Sequence, residues 1–213
     1  MMDSTRTIHN TDALAWLESQ SILEGCSTIA SMPDISEFST FSLDEWKTWF
    51  INAAKLILSK TPDDGICIFY QSDIKYEGAW VDKGYLCQKA AEQTGHELIA
   101  HKIISRATPG TPGFGRPLYS HMVCFSKGIR PDVALATPDV LPSAGESTWA
   151  RGTGIEAARL ACGFIKRHTK SHTIVNPFCG HGMILAAANE AGFNSVGIER
   201  SKKRAEKAGE LTI

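Results

Sequence analysis

The hydrophobic and polar positions of the chain follow two different patterns. Residues 65–70 form a continuous apolar run, which is typical of a strand buried on both faces. Residues 43–59 instead carry apolar side chains at helical spacing, with Trp46 and Phe50 on one face and a capping segment that begins at Ser42. Strand-like and helix-like segments alternate along the chain in this way, which predicts an α/β protein.

Seven segments have the character of strands and five have that of helices. The strands are predicted at residues 6–10, 26–30, 65–70, 97–105, 118–125, 173–175 and 195–198. The helices are predicted at residues 12–17, 43–59, 83–93, 154–168 and 183–188. Pro and Gly dominate residues 108–117, so the strands on either side of this segment are expected to form an antiparallel hairpin at the edge of a mostly parallel sheet.

Composition narrows the class of protein. A chain of 213 residues is long enough for one domain with a real core, and its formal net charge of −1 gives no global attraction to nucleic acid. The six cysteines include no Cys-x-x-Cys pair, which favours free thiols over disulfides or a zinc site. The first residues lack an apolar core and no apolar run reaches membrane-spanning length. We therefore expect a soluble, cytoplasmic protein.

The segment after residue 173 carries the strongest chemical signal. The apolar strand breaks at Asn176 and Pro177, and the chain then passes through Gly180 and Gly182 into a helix. Glycines at such a turn let the backbone approach a ligand, towards which the free N–H groups of the helix start point. The next strand ends at Glu199, where a Rossmann-type site binds a ribose diol. Two glycines instead of three favour a nucleoside cofactor over a dinucleotide.

The sequence Asn-Pro-Phe-Cys-Gly-x-Gly, followed by Gly-Ile-Glu, resembles the cofactor-binding motif of class I S-adenosylmethionine-dependent methyltransferases. The resemblance implies a Rossmann-like fold, S-adenosyl-L-methionine as cofactor, and Glu199 as the ligand of the ribose hydroxyls. The alternative is an ordinary strand–turn–helix junction. The residues implied in cofactor binding by the motif are Asn176, Pro177, Phe178, Cys179, Gly180, Gly182 and Glu199.

The motif lies near the C-terminus, so the remaining strands must precede it. This order resembles the circularly permuted amino-methyltransferases that modify nucleic acid bases. It implies one domain over residues 1–213, with a catalytic and substrate half at 1–128, a connecting loop at 129–148 and a cofactor-binding half at 149–213. Asp12 resembles the acid that contacts the adenine amino group, although a helix N-cap needs the same residue type. Arg151 is expected to bind the cofactor carboxylate.

The segment Ser31-Met32-Pro33-Asp34 occupies the place of the family's [D/N/S]-P-P-[Y/F/W] motif. Ser31 and Pro33 match this pattern, and their family role is to hold the target amino group. Asp34 replaces the aromatic residue that stacks on the base. Its carboxylate could accept a proton, or it could only cap a loop.

Lys75 follows a neighbouring strand and could pair with Asp34, as in ribose 2′-O-methyltransferases. The alternative is a solvated lysine.

Basic residues around the glycine-rich hairpin suggest the substrate. Lys102, Arg106 and Arg116 could bind the phosphates of RNA, or could protect an edge strand from pairing. The chain has no segment long enough for the target-recognition insertion of permuted DNA enzymes. We therefore expect a methyltransferase of a base or ribose in RNA (tRNA or rRNA). A methyltransferase of a small molecule or protein side chain, or an inactive cofactor-binding partner subunit, are the alternatives.

Overall fold

The computed structural model describes residues 4–150 and 152–213. The strands are β1 (Arg6–His9), β2 (Cys26–Ala30), β3 (Cys67–Gln71), β4 (Ile74–Tyr76), β5 (Ala79–Val81), β6 (Glu97–Ser105), β7 (Tyr119–Ser126), β8 (Val140–Leu141), β9 (Thr173–Pro177) and β10 (Asn194–Ile198). The helices are α1 (Ala13–Ser19), α2 (Leu43–Lys60), α3 (Lys83–Glu92), α4 (Ile155–His168), α5 (Met183–Glu190) and α6 (Lys202–Glu210).

Eight strands form one sheet in the order β1-β10-β9-β2-β3-β7-β6-β8. All neighbours from β1 to β3 are parallel, and β7 runs antiparallel to both β3 and β6. The strand β9, which carries the glycine motif, therefore lies between β10 and β2 in the interior of the sheet. Ligands of such sheets bind beyond the carboxyl ends of the parallel strands.

Helices cover both faces of the sheet and bury its apolar strands. One cluster joins α2 and α3 to the sheet through Trp46, Phe50 and Phe69, all of which have no exposed surface. The other joins α4 and α5 to the opposite face around Ile68 and Ile165. These two cores hold the strand ends in fixed positions, and the loops between them build the site.

The predicted seven strands are all present, and the α/β fold class is confirmed. The structure adds the short strand β8 inside the segment 129–148, where two residues pair with β6. It also adds the small hairpin β4–β5. Both additions are built from strands of only two or three residues, too short to give a periodic signal. Within residues 4–150 and 152–213, no helix combines the length and the apolar character needed to cross a membrane.

Candidate active site

A cavity of about 850 Å³ opens at the carboxyl ends of β2, β3, β9 and β10. Its wall combines residues that follow each of these strands, namely 31–34, 71–75, 178–180 and 198–200. The four strands are neighbours in the sheet, which brings these segments together at one edge.

The turn after β9 has an unusual backbone. Phe178, Gly180 and Gly182 have φ values of 60°, 58° and 85°, which lie in the left-handed region that favours glycine. A Cβ on Gly182 would come within 2.8 Å of Ala208 Cα, whereas one on Gly180 would meet only Trp149, at 3.9 Å. Close packing on α6 therefore requires glycine at 182, while glycine at 180 leaves space on the cavity side.

The first residues of the motif have a structural position. Asn176 is buried, and its side-chain amide donates a hydrogen bond to the Ile29 carbonyl at 2.6 Å, which ties β9 to β2. Pro177 is buried in β9 beside Ile198 of β10. Of the motif residues from 176 to 180, Phe178, Cys179 and Gly180 line the large cavity. Burial raises the pKa of the Cys179 thiol to about 12, so this cysteine is a packed group and not a nucleophile.

Glu199 lies at the end of β10 with its side chain turned towards the glycine turn. It is 6 % exposed and lines the cavity. Its carboxylate accepts hydrogen bonds from the backbone N–H groups of Gly180, at 3.1 Å, and Ser201, at 2.8 Å. Two carboxylate oxygens offer about four acceptor positions, so capacity for a diol remains.

The two other predicted cofactor residues differ in what the structure shows. Asp12 caps α1, and its carboxylate accepts from the N–H groups of Leu14 and Ala15 at 3.0 Å. It also lines the cavity, so the cap and the ligand role are compatible. Arg151 lies outside the described residues.

Sequence reasoning missed one cavity residue on this side, Arg204. The guanidinium of Arg204, on α6, lies 4.7 Å from the ring centroid of Trp149, and both residues line the cavity. The basic residues at 202–204, shortly after Glu199, were the signal that could have indicated Arg204.

Ser31, Pro33 and Asp34 follow β2 and also line the cavity. The Trp46 indole N–H donates to the Pro33 carbonyl at 3.4 Å, which anchors this corner to α2. The Asp34 carboxylate accepts a hydrogen bond from the ammonium of Lys83. The Lys83 side chain is only 4 % exposed, whereas that of Asp34 is 34 % exposed.

The predicted pairing of Asp34 with Lys75 is therefore wrong, and the partner is Lys83. The hairpin β4–β5 diverts the chain after β3, so the Lys75 ammonium lies over the Trp80 ring, 5.7 Å from its centroid. Lys75 still contributes to the cavity wall. Lys83 is the first residue of α3 and lies on the buried side of this helix, so its ammonium reaches the segment 31–34.

A hydrogen-bonded network supports Lys83 from behind. The Asp73 carboxylate accepts from the Lys83 backbone N–H at 2.9 Å and from the Tyr119 hydroxyl at 3.2 Å, and it bonds His121 Nε2 at 3.0 Å. His101 Nε2 lies 3.0 Å from His121 Nδ1. This network fixes the first turn of α3, and with it the ammonium at Asp34.

The same contacts shift two pKa values. Burial opposes ionisation of Asp73, but the hydrogen bonds from His121 and from the Lys83 backbone outweigh it and lower the pKa of Asp73. Burial also disfavours a charged His121, and its bond to Asp73 outweighs that effect and raises the pKa of His121. Asp73, Asp82 and His121 place potential metal-ligating atoms within 4.8 Å of one another. Hydrogen bonds within the protein already engage all three side chains.

The basic residues near the hairpin divide into two groups. Lys102 is buried, and its ammonium donates to the carbonyls of Thr137 and Pro138 at 3.0 Å and to Asp139. It fixes the segment 137–139 beside β6 and is not available to a phosphate. Arg106 and Arg116, in contrast, line the cavity.

Aromatic side chains also face this cavity. Phe38 packs on Trp49 with ring centroids 4.5 Å apart, and Trp49 meets Phe178 at 6.2 Å; all three residues line the wall. The aromatic surface lost by Asp34 is therefore available from neighbouring segments.

Comparison with known proteins identifies the fold. No protein-family model matches the sequence, and a search of curated proteins finds no match. Solved structures do match. TTHA0409, a putative DNA modification methylase from Thermus thermophilus complexed with S-adenosyl-L-methionine, gives a TM-score of 0.73 at 16 % identity, over 97 % of this chain and 92 % of that chain.

Two further solved structures agree with this result. The PvuII DNA methyltransferase (cytosine-N4-specific) gives a TM-score of 0.72 at 18 % identity, over 96 % of this chain and 85 % of that chain. The M1.HpyAVI–SAM complex gives 0.67 at 12 % identity, over 97 % and 99 %. The chain therefore has the fold of the class I S-adenosylmethionine-dependent methyltransferases, as the motif predicted.

Proposed function

We propose that this protein is an S-adenosylmethionine-dependent methyltransferase that modifies an exocyclic amino group of a base in nucleic acid. One observation carries the proposal: a single cavity is lined both by the glycine turn and Glu199 and by Ser31 and Asp34. Two ligands that must react can therefore meet inside one cavity.

The residues present fit this cofactor. Glu199 is a buried carboxylate with acceptor capacity for the ribose hydroxyls, and Gly180 leaves the backbone open towards the cavity. Asp12 can accept a hydrogen bond from the adenine amino group, because it lies on the same cavity wall. When bound, S-adenosylmethionine supplies an electrophilic methyl group whose bonding electron pair remains on sulfur.

The acceptor corner would perform the remaining tasks. The Ser31 hydroxyl accepts one hydrogen of the amine, which directs the nitrogen lone pair towards the donor. The nitrogen forms the new bond to carbon and then releases one proton. Asp34 takes up this proton, and Lys83 holds the carboxylate in place.

Two observations support a nucleic acid as the substrate: the residues that line the cavity and the solved structures that share this fold. The aromatic wall formed by Phe38, Trp49 and Phe178 suits an unstacked base, and Arg106 and Arg116 suit its phosphates. The short length of the chain does not favour RNA over DNA, because this chain covers 92 % of TTHA0409, a protein named as a putative DNA modification methylase. DNA and RNA are therefore both substrates to be tested.

The order of the two halves supports a circular permutation. The motif strand β9 and the acid-bearing strand β10 come last in the chain, after the acceptor-side strands β2 and β3, with 129–148 between the halves. We propose that residues 1–128 bind the acceptor and residues 149–213 bind the cofactor.

The test uses the full chain with methyl-labelled cofactor and separate DNA, tRNA and rRNA samples, followed by mass spectrometry of the digested nucleosides. We expect an N-methylated base from one of these polymers, and loss of the product with Asp34→Asn although the cofactor still binds. Label that survives nuclease treatment in a small molecule or protein would contradict the proposal. Cofactor binding without transfer to any acceptor would instead indicate an inactive subunit.

A further inference from the structure

Gln71 is a buried amide without a partner. It is the last residue of β3 and is 1 % exposed. Neither Oε1 nor Nε2 of its side chain has a hydrogen-bond partner among the described residues. Buried polar groups in folded proteins are almost always paired, so an unpaired primary amide requires an explanation.

The position of Gln71 connects it to the acceptor side of the cavity. Ala30 pairs with Phe69 across β2 and β3, so Gln71 reaches the same end of the sheet as the corner at Ser31. Side chains alternate along a strand, and Gln71 therefore shares the face of Phe69, which is covered by α2 and α3. The residue lines the cavity together with Asp34 and Lys83.

The chemistry of a primary amide defines its complement. The amide presents one acceptor and one donor side by side, and it pairs with a group that offers a donor next to an acceptor. An amino group beside an unprotonated ring nitrogen has this arrangement, as on the Watson–Crick edges of adenine and cytosine. On the corresponding edge of guanine the amine adjoins a second donor instead.

We infer that Gln71 recognises the methyl-accepting base by pairing its amide with the amine and the adjacent ring nitrogen of adenine or cytosine. This inference rests on the proposed function, because it concerns the acceptor bound at the same site. No described residue pairs with the amide, and the substrate base would supply its partner.

The decisive variant is Gln71→Met, which keeps the size of the side chain and removes both polar groups. We expect a melting temperature equal to or above that of the wild type, because no hydrogen bond is lost. The KM for an oligonucleotide with the preferred base should rise about tenfold or more, since a bidentate base contact is lost. The dissociation constant of that oligonucleotide with S-adenosylhomocysteine should rise in parallel, and preference over guanine should fall.

Gln93→Met is the matched control, because Gln93 is exposed at the end of α3, away from the cavity. A lower melting temperature for Gln71→Met with unchanged base discrimination would overturn the inference and make the amide a structural group. Failure of both Gln71→Met and Gln71→Leu to fold would overturn it for the same reason. If the wild type methylates no nucleic acid, the proposed function fails first; if it does and the variant discriminates equally, only this inference fails.

Discussion

The two walls of the cavity are built in different ways. The cofactor wall is a backbone structure: left-handed residues at 178, 180 and 182 shape the turn, and the Gly180 N–H binds Glu199. The acceptor wall is a side-chain structure, in which Lys83 pairs with Asp34 and Asp73 holds the first turn of α3. A short sequence motif can specify the first kind of wall. The second kind depends on residues brought together from distant segments.

This difference predicts how each wall responds to substitution. Changes on the acceptor wall should impair turnover and leave cofactor affinity intact, because the pair at Asp34 makes no hydrogen bond to Glu199 or to the glycine turn. Changes on the cofactor wall should impair cofactor affinity, and in the turn itself they should also lower stability.

Lys83→Met should have the largest effect. Removing the buried ammonium leaves Asp34 without its partner, so we expect turnover to fall about 10²- to 10⁴-fold, the usual contribution of a positioned acid or base. Cofactor affinity, measured by calorimetry, should stay within about twofold. The control is Lys89→Met on the exposed side of the same helix. Full activity in Lys83→Met, or a larger loss in Lys75→Met, would refute the assignment of Lys83.

Gly182→Ala should have the next largest effect, on stability. The new methyl group meets Ala208 at 2.8 Å and the residue keeps φ at 85°, so overpacking adds to left-handed strain. We expect a loss of about 2–4 kcal/mol in the free energy of unfolding, measured with denaturant. Gly192→Ala is the control, because φ is 90° there and no atom of residues 4–150 or 152–213 lies within 4 Å of the new Cβ. Equal losses in both variants would show that packing on α6 has no role.

Glu199→Gln should have a smaller effect, mainly on the cofactor. The amide loses the charge and turns its NH2 group towards one of the two backbone N–H donors, of Gly180 or Ser201, so affinity for S-adenosylmethionine should fall about 10- to 30-fold, as expected for one charge-assisted hydrogen bond. Glu206→Gln on the exposed side of α6 is the control. Unchanged affinity in Glu199→Gln would remove the ribose assignment, while turnover at saturating cofactor should remain near that of the wild type.

The cofactor wall was predictable because its geometry is local. Glycine spacing, the strand break at Asn176 and the acid at Glu199 are all visible in the sequence, and the structure brings them to one turn. The acceptor corner at 31–34 was predicted in position, since it follows a strand in the middle of the sheet.

The partner of Asp34 could not be predicted from strand order alone. Lys75 is nearer in sequence to the end of β3, but the unpredicted hairpin β4–β5 moves it away. One signal was present: Lys83 occupies the first position of an apolar stripe that continues through Leu86, Cys87 and Ala90, where a lysine is out of place without a buried partner. The burial of Lys102 depended on the distant segment 137–139, which has no regular pattern.

The smallest predicted effect is a change of stability with pH. It arises from groups on the acceptor side of the cavity and not from the cofactor site. The pKa of His121 is raised, so the stabilisation it supplies is complete below its unfolded value of about 6.5 and is lost as pH rises through the folded value. The pKa of Asp73 is lowered, so its contribution is present above its unfolded value and is lost only as pH falls through the folded value. Both contributions are therefore present near pH 5–6.

Comparison of the wild type with His121→Gln across pH measures this effect. The groups around His121 are Asp73, Asp82, Lys83, His101 and Tyr119. We expect the wild type to melt about 2–4 °C above the variant near pH 6, the shift that about 1 kcal/mol gives in a protein of this size, and the difference to shrink as pH rises above about 6.5. Cofactor affinity should show no matching change, since His121 bonds Asp73 on the acceptor side and does not contact the glycine turn or Glu199. A melting difference that is constant from pH 6 to pH 9 would mean that His121 supports α3 without its charge.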